Sequence, residues 1–168
     1  MDYDVVIVGG GPSGLSTAIK LKQLDPEINV CVLEKASEIG AHILSGNVFE
    51  TRALDELFPN WKDLDTPVKT KVSKEKFLFL SKTKSLSWPT WLLPSVQQNH
   101  KNYIISLANL CRWLAEQAEA LGVEIFPGFP ASEILYREDG SIKGVVTQDM
   151  GIDKEGNKKE NYEPGIEL

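Results

Sequence analysis

The stretch Asp4–Leu21, DVVIVGGGPSGLSTAIKL, places a short apolar run directly before a cluster of glycines and an amphipathic segment. The continuous β-branched run Val5–Val8 predicts a parallel strand that is buried on both faces. A helix is expected to follow and to continue to about Leu24, where an Asp-Pro pair ends it. Val30–Leu33 predicts a second buried strand. Residues 1–35 therefore predict a right-handed βαβ unit.

The three glycines Gly9, Gly11 and Gly14 form the pattern G-x-G-x-x-G between this strand and this helix. The first glycine permits a tight turn, the second lets a pyrophosphate approach the backbone, and the third lets the helix pack close to the strand. The positive end of the helix dipole then favours the phosphates. A glycine-rich turn without a ligand is the alternative, and the strand-to-helix context favours nucleotide binding.

Glu34 follows the second strand, 20 residues after Gly14. An acidic side chain at that position receives the ribose hydroxyls and disfavours a 2′-phosphate, so FAD or NAD is favoured over NADP. A solvated strand end is the alternative for Glu34 taken alone.

A plain NAD domain continues quickly into a third parallel strand. Here nearly seventy residues separate Glu34 from the next long helical pattern.

The composition excludes several classes of protein. The 168 residues carry 18 Lys+Arg against 24 Asp+Glu, a net charge of −6 that argues against nucleic acid as a partner. Cys31 and Cys111 form neither a disulfide framework nor a zinc ligand set, and they are expected to be inert core thiols. No apolar run is long enough to span a bilayer, and the start of the chain shows no signal or transit peptide.

Residues 36–101 are predicted as an insertion with a loop, a short helix from Thr51 or Arg52 and a possible strand at Phe77–Leu80. Residues 102–168 predict a helix and β-strands. The helix should extend from about Tyr103 to Leu121. A strand at Val123–Phe126, a hairpin around Asp139-Gly140 and a second turn at 154–157 follow.

Two apolar segments in the insertion permit either a core or a membrane interpretation. The first is a stripe at helical spacing, for which the core is favoured; it consists of Phe49, Leu54, Leu57, Phe58 and Trp61. The second contains two indoles, which suit an interface with one wet and one apolar side; it consists of Trp88, Trp91, Leu92 and Leu93.

The chain resembles the electron transfer flavoprotein–ubiquinone oxidoreductases over essentially its whole length. The specific stretches are IGAHILSG (Ile39–Gly46), LDELFPNW (Leu54–Trp61), NHKNYIISL (Asn99–Leu107), WLAEQAEALGVEIFPGF (Trp113–Phe129) and VTQDMGIDKEG (Val146–Gly156). The resemblance implies an α/β fold of the glutathione-reductase type, a Rossmann-like FAD-binding fold that is incomplete here and includes a β-hairpin meander. The resemblance also favours membrane contact over a core position for both apolar segments.

The resemblance assigns FAD contacts by position. The diphosphate would lie against Gly9, Gly11, Pro12, Ser13 and Gly14, and the adenosine ribose would lie against Glu34 with Lys35 beside it. The flavin side of the cofactor would approach Gly40, Ala41, His42, Ser45 and Gly46. The adenine would lie along Pro130–Glu133, which includes Ala131. His42 is expected to have a structural hydrogen-bonding role.

The family passes electrons from electron transfer flavoprotein to ubiquinone in the respiratory chain. It uses one FAD and one 4Fe–4S cluster on the membrane surface, without spanning the membrane. The resemblance thus implies an oxidoreductase with these two electron partners and a membrane surface as a third. The implied location is the cytoplasmic face of a bacterial inner membrane, or the mitochondrial inner membrane in eukaryotic relatives.

The chain departs from the family in extent. The family is several times longer, and its closing flavin-contact strand and quinone segments have no counterpart here. A cluster site is also absent, because two cysteines cannot supply four thiolate ligands. Residues 1–168 are therefore expected to form part of an FAD-binding domain. The alternatives are a non-catalytic nucleotide-binding module without flavin, or a related FAD-dependent enzyme such as a geranylgeranyl reductase or a hydroxylase.

Overall fold

The computed structural model describes residues 2–168, which divide into two compact units. The first unit comprises the chain up to Ile43 together with Cys111–Leu168, and the second comprises Leu44–Leu110. The elements are β1 Val5–Val8, α1 Pro12–Leu24, β2 Val30–Glu34, β3 Asn47–Phe49, α2 Arg52–Leu57, β4 Thr70–Lys71, β5 Phe77–Leu80, β6 Ser85–Trp88, β7 Tyr103–Ile105, α3 Leu107–Ala120, β8 Glu124–Pro127, β9 Ala131–Tyr136, β10 Ile142–Thr147, β11 Met150–Ile152 and β12 Lys158–Glu163.

The first unit is built on a parallel sheet in the order β1-β2-β8. The predicted βαβ unit and the predicted strand after the long helix are confirmed. Residues Val30–Leu33 of β2, the central strand, are fully buried, as predicted. The predicted burial of β1 on both faces is wrong, because β1 lies at the edge of this sheet and Val8 is 60% exposed.

Helix α1 buries Leu15, Ala18 and Ile19, as its spacing predicts. Leu21, which was expected on the same face, is only half-buried, and Lys22 is buried instead. The Lys22 ammonium donates hydrogen bonds to the carbonyls of Pro26 and Ile28, so the buried charge is satisfied at the end of the helix.

Antiparallel hairpins complete the first unit. Strands β9 and β10 pair around a turn in which Gly140 has φ +81°, a backbone conformation that favours glycine. Strands β11 and β12 pair around the second predicted turn, where Gly156 has φ +90°. Both predicted turns are confirmed. They could be predicted because Gly, Asn and Asp favour the backbone conformations that such turns require.

The second unit contains an antiparallel sheet in the order β3-β7-β4 and a core around Trp61. Trp61 is 2% exposed, packs edge-on against Tyr103 with ring centroids 5.7 Å apart, and donates its indole N–H to Asp55 Oδ1 at 2.6 Å. Leu54 is buried, and Leu57 and Phe58 are half-buried. The core interpretation of the first apolar segment is thereby confirmed for Leu54 and Trp61, while Phe49, Leu57 and Phe58 are half-buried.

The long helix begins later than predicted. Tyr103–Ile105 forms β7, in which Tyr103 and Ile105 are buried and Ile104 is 49% exposed. This alternation has the period of a strand, and pairing with β3 and β4 selects it over the helix. Helix α3 starts at Leu107 and ends at Ala120, which leaves Leu121 outside the helix and 39% exposed.

The thiols of Cys31 and Cys111 are both fully buried. Burial raises the pKa of each thiol to about 11, and the negative charges of Glu124 and Glu34 respectively add to the effect. Because the thiolate is the reactive form, we expect neither thiol to react with a disulfide reagent near neutral pH until the chain is unfolded.

Thiol titration with and without denaturant measures this difference. The variant Thr83→Cys is the control, because residue 83 is exposed and its thiol should react at once in the folded protein. Rapid modification of the unaltered folded chain would contradict the buried placement of the two cysteines.

Candidate functional site

The loop between β1 and α1 brings the carboxyl end of the first strand against the second. Gly9 has φ +107°, which favours glycine, and its N–H donates to the Leu33 carbonyl at 2.7 Å. This turn directs the chain into α1 above the ends of the parallel strands, which is where parallel α/β sheets bind ligands.

Gly14 lies on the first turn of α1, against the loop. A Cβ atom at this position would overlap the Gly9 carbonyl oxygen and lie 3.2 Å from Ile7 Cγ2. Only glycine therefore lets the helix approach the strand this closely. This close approach is the one that the third glycine of the pattern predicts.

Gly11 lies at the N-cap of α1, and the space that its side chain would occupy is open. No side chain caps this helix end, and Pro12 occupies the first helical position. The backbone N–H groups at the start of the helix, including those of Ser13 and Gly14, are therefore not used by a cap. An open approach and uncapped N–H groups at the positive end of a helix fit a pyrophosphate.

The Glu34 carboxylate is held by two backbone groups. Its Oε2 accepts the Gly10 N–H at 2.8 Å, and its Oε1 accepts the Ala36 N–H at 2.8 Å. An ionised carboxylate has about four acceptor sites, so about two remain for further donors. The side chain is half-buried, and its remaining acceptor sites suit the two hydroxyls of a ribose.

Gly10 is a site residue that the sequence pattern does not identify. It is buried, and a Cβ atom there would overlap Ile39 Cδ1 and lie 3.2 Å from Glu34 Oε2. The pattern assigns roles only to the first, third and sixth positions. The need for a second consecutive glycine arises from the approach of Glu34, which depends on tertiary structure.

The predicted flavin-side residues fall into two groups. Gly40 is buried with φ +86°, and Ala41 and His42 follow it exposed in the first unit. Ser45 and Gly46 belong to the second unit, where both are exposed. Lys35, predicted beside the ribose, follows Glu34 and is exposed.

Ala131 begins β9 close to the end of β2. Phe129 donates its N–H to the Glu34 carbonyl at 3.0 Å, and Gly128 donates to the Ala36 carbonyl at 2.7 Å. These two bonds bring the segment that leads into β9 to the same strand end as the Glu34 carboxylate. Ala131, the predicted adenine-side residue, begins β9 two residues after Phe129 and pairs with Thr147 of β10.

A 4Fe–4S cluster does not fit the described residues. Cys31 lies in β2 and Cys111 in α3, both buried, and no group of three or more His, Cys, Asp or Glu within residues 2–168 could hold a metal ion. Within the same residues, no helix has the length and apolar character needed to cross a bilayer.

Comparison with known proteins agrees with the fold and finds relatives that match the whole chain. A family model described as an NAD(P)-binding Rossmann-like domain matches residues 7–68. The mitochondrial electron transfer flavoprotein–ubiquinone oxidoreductase of Oryza sativa subsp. japonica is 56% identical over 100% of this chain and 29% of its own length. The Pseudomonas aeruginosa protein of that name is also 56% identical, over 100% of this chain and 32% of its own length.

The chain matches the N-terminal part of the electron transfer flavoprotein–ubiquinone oxidoreductases. It spans about 30% of the length of the curated oxidoreductases of that name. The resemblance inferred from the five sequence stretches is thereby confirmed.

Solved structures show the same fold with low sequence identity. A geranylgeranyl bacteriochlorophyll reductase-like protein from Thermoplasma acidophilum superposes with a TM-score of 0.66 at 20% identity, covering 98% of this chain and 36% of that one. A myxobacterial chondrochloren halogenase, a variant of FAD-dependent halogenases, gives a TM-score of 0.58 at 17% identity, covering 99% and 34%. The predicted α/β, Rossmann-like fold class is confirmed.

The substitution Gly11→Ala is expected to weaken binding of ADP without unfolding the protein. The added methyl group meets no protein atom but occupies the open approach, so affinity should fall at least about tenfold. The free energy of unfolding should change by at most about 1 kcal/mol, since only an N-cap is altered. Calorimetric titration with ADP and denaturant unfolding measure the two quantities.

Gly14→Ala is the matched comparison for this experiment. Its methyl group would overlap the Gly9 carbonyl, so the midpoint of denaturation should fall as well as the affinity. Unchanged ADP affinity in the Gly11 variant would show that the loop does not contact phosphate.

Glu34→Gln is expected to alter the preference between ADP and ADP carrying a 2′-phosphate. The carboxylate repels that phosphate, so unaltered protein should prefer ADP by at least about tenfold, and the variant should lose most of this preference. The glutamine oxygen can still accept the Gly10 N–H.

Glu138→Gln, an exposed change of the same charge in the β9–β10 turn, is the control and should keep the preference. Parallel titrations of both variants with the two nucleotides make the measurement. An equal effect of the two substitutions would mean that Glu34 acts only through net charge.

Proposed function

We propose that this chain supplies the FAD-binding part of an oxidoreductase that passes electrons from electron transfer flavoprotein to ubiquinone. The similarity to oxidoreductases of that name over the whole chain supports the reaction. The observation that carries the proposal for this chain itself is the open approach at Gly11 next to the Glu34 carboxylate.

FAD is the dinucleotide proposed for this site. The backbone N–H groups of Gly11, Ser13 and Gly14 would bind the diphosphate, with Pro12 starting the helix in the required conformation. Glu34 would accept the ribose hydroxyls, Lys35 would lie at the edge of that site, and Ala131 would border the adenine. Gly40, Ala41, His42, Ser45 and Gly46 are proposed on the flavin side.

The bound FAD would supply the electron-carrying chemistry of the reaction. The residues of this chain would have a binding and orienting role, since electron transfer needs no nucleophilic side chain. The Glu34 carboxylate would hold the adenosine end in place, and the uncapped end of α1 would compensate the negative charge of the diphosphate.

The remaining electron-transfer parts are assigned to the whole protein rather than to this chain. The proposal includes one 4Fe–4S cluster, a ubiquinone site and a docking site for electron transfer flavoprotein. The thiolate ligands of such a cluster must come from outside residues 2–168, because the two buried cysteines cannot supply them.

Membrane contact is proposed for the hairpin β5–β6 and the segment after it. Phe79, Leu86 and Trp88 are 53%, 64% and 43% exposed, and Trp91 and Leu92 are 76% and 51% exposed. Exposed indoles and aliphatic side chains in one short segment suit the interface of a bilayer, from which an enzyme can reach an apolar quinone. The proposed location is the cytoplasmic face of a bacterial inner membrane.

The purified chain is expected to retain FAD. A flavin absorbance band that survives desalting, at one flavin per chain, would support the proposal, and Gly11→Ala should abolish it. The coding frame is further expected to continue beyond codon 168 and to encode four clustered cysteines.

A protein that binds ADP but releases all flavin on desalting would instead support a non-catalytic nucleotide-binding module. A continuing frame without a cysteine cluster would favour a related flavoenzyme, such as a reductase or a hydroxylase. Either result would contradict the proposed reaction.

Leu86→Ser is expected to weaken binding of the chain to phospholipid vesicles by about tenfold, because an exposed leucine contributes roughly 1.5 kcal/mol or more when buried in an apolar phase. Leu24→Ser is the control, since Leu24 is 72% exposed but lies at the end of α1 in the other unit. Co-flotation with vesicles measures both. If the two variants bind alike, the hairpin does not contact the membrane.

A further inference from the structure

Lysine is concentrated around the hairpin β5–β6. Residues 69–84 contain six lysines and one acidic residue, whereas the rest of the chain has 12 basic against 23 acidic residues. The single acid, Glu75, is half-buried and accepts hydrogen bonds from the backbone and side-chain N–H groups of Asn99. An acidic chain therefore carries one strongly basic segment, and that segment includes strand β5 and the turn that leads into β6.

The four lysines nearest the hairpin lie at its two ends. Lys74 and Lys76 precede β5, and Lys82 and Lys84 lie in the turn that joins β5 to β6. All four are exposed, and none forms an ion pair within the part of the chain that the structure describes. The charges of these lysines are therefore available to an external partner.

The turn is well defined by hydrogen bonds. Ser81 N–H donates to the Lys84 carbonyl at 2.8 Å, and Lys84 N–H donates to Ser81 Oγ at 3.0 Å. With four residues in each strand, the turn lysines lie roughly 13 Å along the hairpin from its base. The apolar section lies between two pairs of positive charges.

The two faces of the hairpin differ. The cross-strand pairs Phe77–Trp88 and Phe79–Leu86 make one face entirely apolar, and Phe79 lies edge-on to Trp88 with ring centroids 6.0 Å apart. The other face pairs Leu78 with Ser87 and Leu80 with Ser85. No third strand pairs with this hairpin within residues 2–168. The aromatic face, Phe77–Trp88 and Phe79–Leu86, is the one suited to an apolar surface.

We propose that the hairpin lies flat on a bilayer rich in anionic phospholipid, with its aromatic face towards the acyl chains. The lysines at its two ends contact the headgroup phosphates. This inference rests on the proposed membrane contact and adds to it the charge class of the lipid and the orientation of the hairpin. Charge complementarity favours an anionic bilayer as the partner of the aromatic face, since a basic segment of an acidic protein is attracted to a negative surface.

Insertion with the turn first is disfavoured by the same residues. It would carry Lys82 and Lys84 into the hydrocarbon, where a lysine is strongly unfavourable. It would also bury Ser85 and Ser87 together with the unpaired edges of two strands. In the flat orientation the four lysines stay at the phosphates, and only the aromatic face leaves water.

Vesicle binding tests the lipid class. The 168-residue chain is titrated with vesicles of phosphatidylcholine alone and with vesicles that also contain phosphatidylglycerol. Each lysine near an anionic surface strengthens binding about fivefold, so Lys82→Gln with Lys84→Gln should weaken binding to the anionic vesicles by about 25-fold. Binding to phosphatidylcholine should not change, and added salt should reduce the difference.

Lys154→Gln with Lys159→Gln is the matched control, because it removes the same charge from exposed positions in the other unit. Equal losses in the two double variants, or equal binding of the unaltered chain to both kinds of vesicle, would overturn the lipid preference but leave the proposed membrane contact standing. No binding to either vesicle would overturn both.

Site-specific labels test the orientation. Because Cys31 and Cys111 are buried, a thiol-reactive fluorophore should label only an added cysteine, at Thr83→Cys in the turn or Leu86→Cys on the aromatic face. On anionic vesicles the label at 86 should be protected from an aqueous quencher and the label at 83 should remain accessible. The reverse order would establish insertion by the turn and overturn the flat orientation.

A protein occupant of this face would give a different result. If the aromatic face is covered by a second copy of the chain, the label at 86 should become protected with increasing protein concentration in the absence of lipid. That outcome would overturn the proposal.

Discussion

The carboxylate of Glu34 joins the two strand ends on which the candidate site depends. One oxygen accepts the Gly10 N–H from the loop after β1, and the other accepts the Ala36 N–H from the segment after β2. Charge-assisted hydrogen bonds of this kind are stronger than neutral ones. They hold the glycine loop beside the acid that would receive the ribose, so a single side chain relates the phosphate and ribose positions.

This constraint also explains the local sequence. Gly10 has no side chain because Ile39 and the Glu34 carboxylate occupy that space, and Gly14 has none because the Gly9 carbonyl does. Gly11 differs from both, since its surroundings are open. Two glycines thus serve packing within the protein, and the third leaves room for a ligand. Within the pattern, Gly14 is therefore required by packing and Gly11 by access, whereas the requirement for Gly10 lies outside the pattern.

The second unit follows a different principle. Its core forms around Trp61, which satisfies its indole N–H through Asp55 and packs against Tyr103. In the hairpin β5–β6, Phe79 and Trp88 are 53% and 43% exposed and Phe77 is half-buried, and the hairpin pairs with no other described strand. Two apolar segments of similar composition therefore have opposite environments, and composition alone could not distinguish them. The location of the core depends on which apolar residues find partners of complementary shape.

Local sequence is enough to predict the βαβ unit, the glycine loop, the position of Glu34 and the turns at Gly140 and Gly156, because each depends on local periodicity or on backbone conformations that few residues allow. The exposure of Val8, the strand at Tyr103–Ile105 and the requirement for Gly10 follow only from the folded arrangement. Each of these depends on a partner distant in the chain: sheet order, the β3–β7 pairing and the approach of Glu34. A sequence pattern records a residue's neighbours along the chain, whereas burial and pairing depend on its neighbours in space.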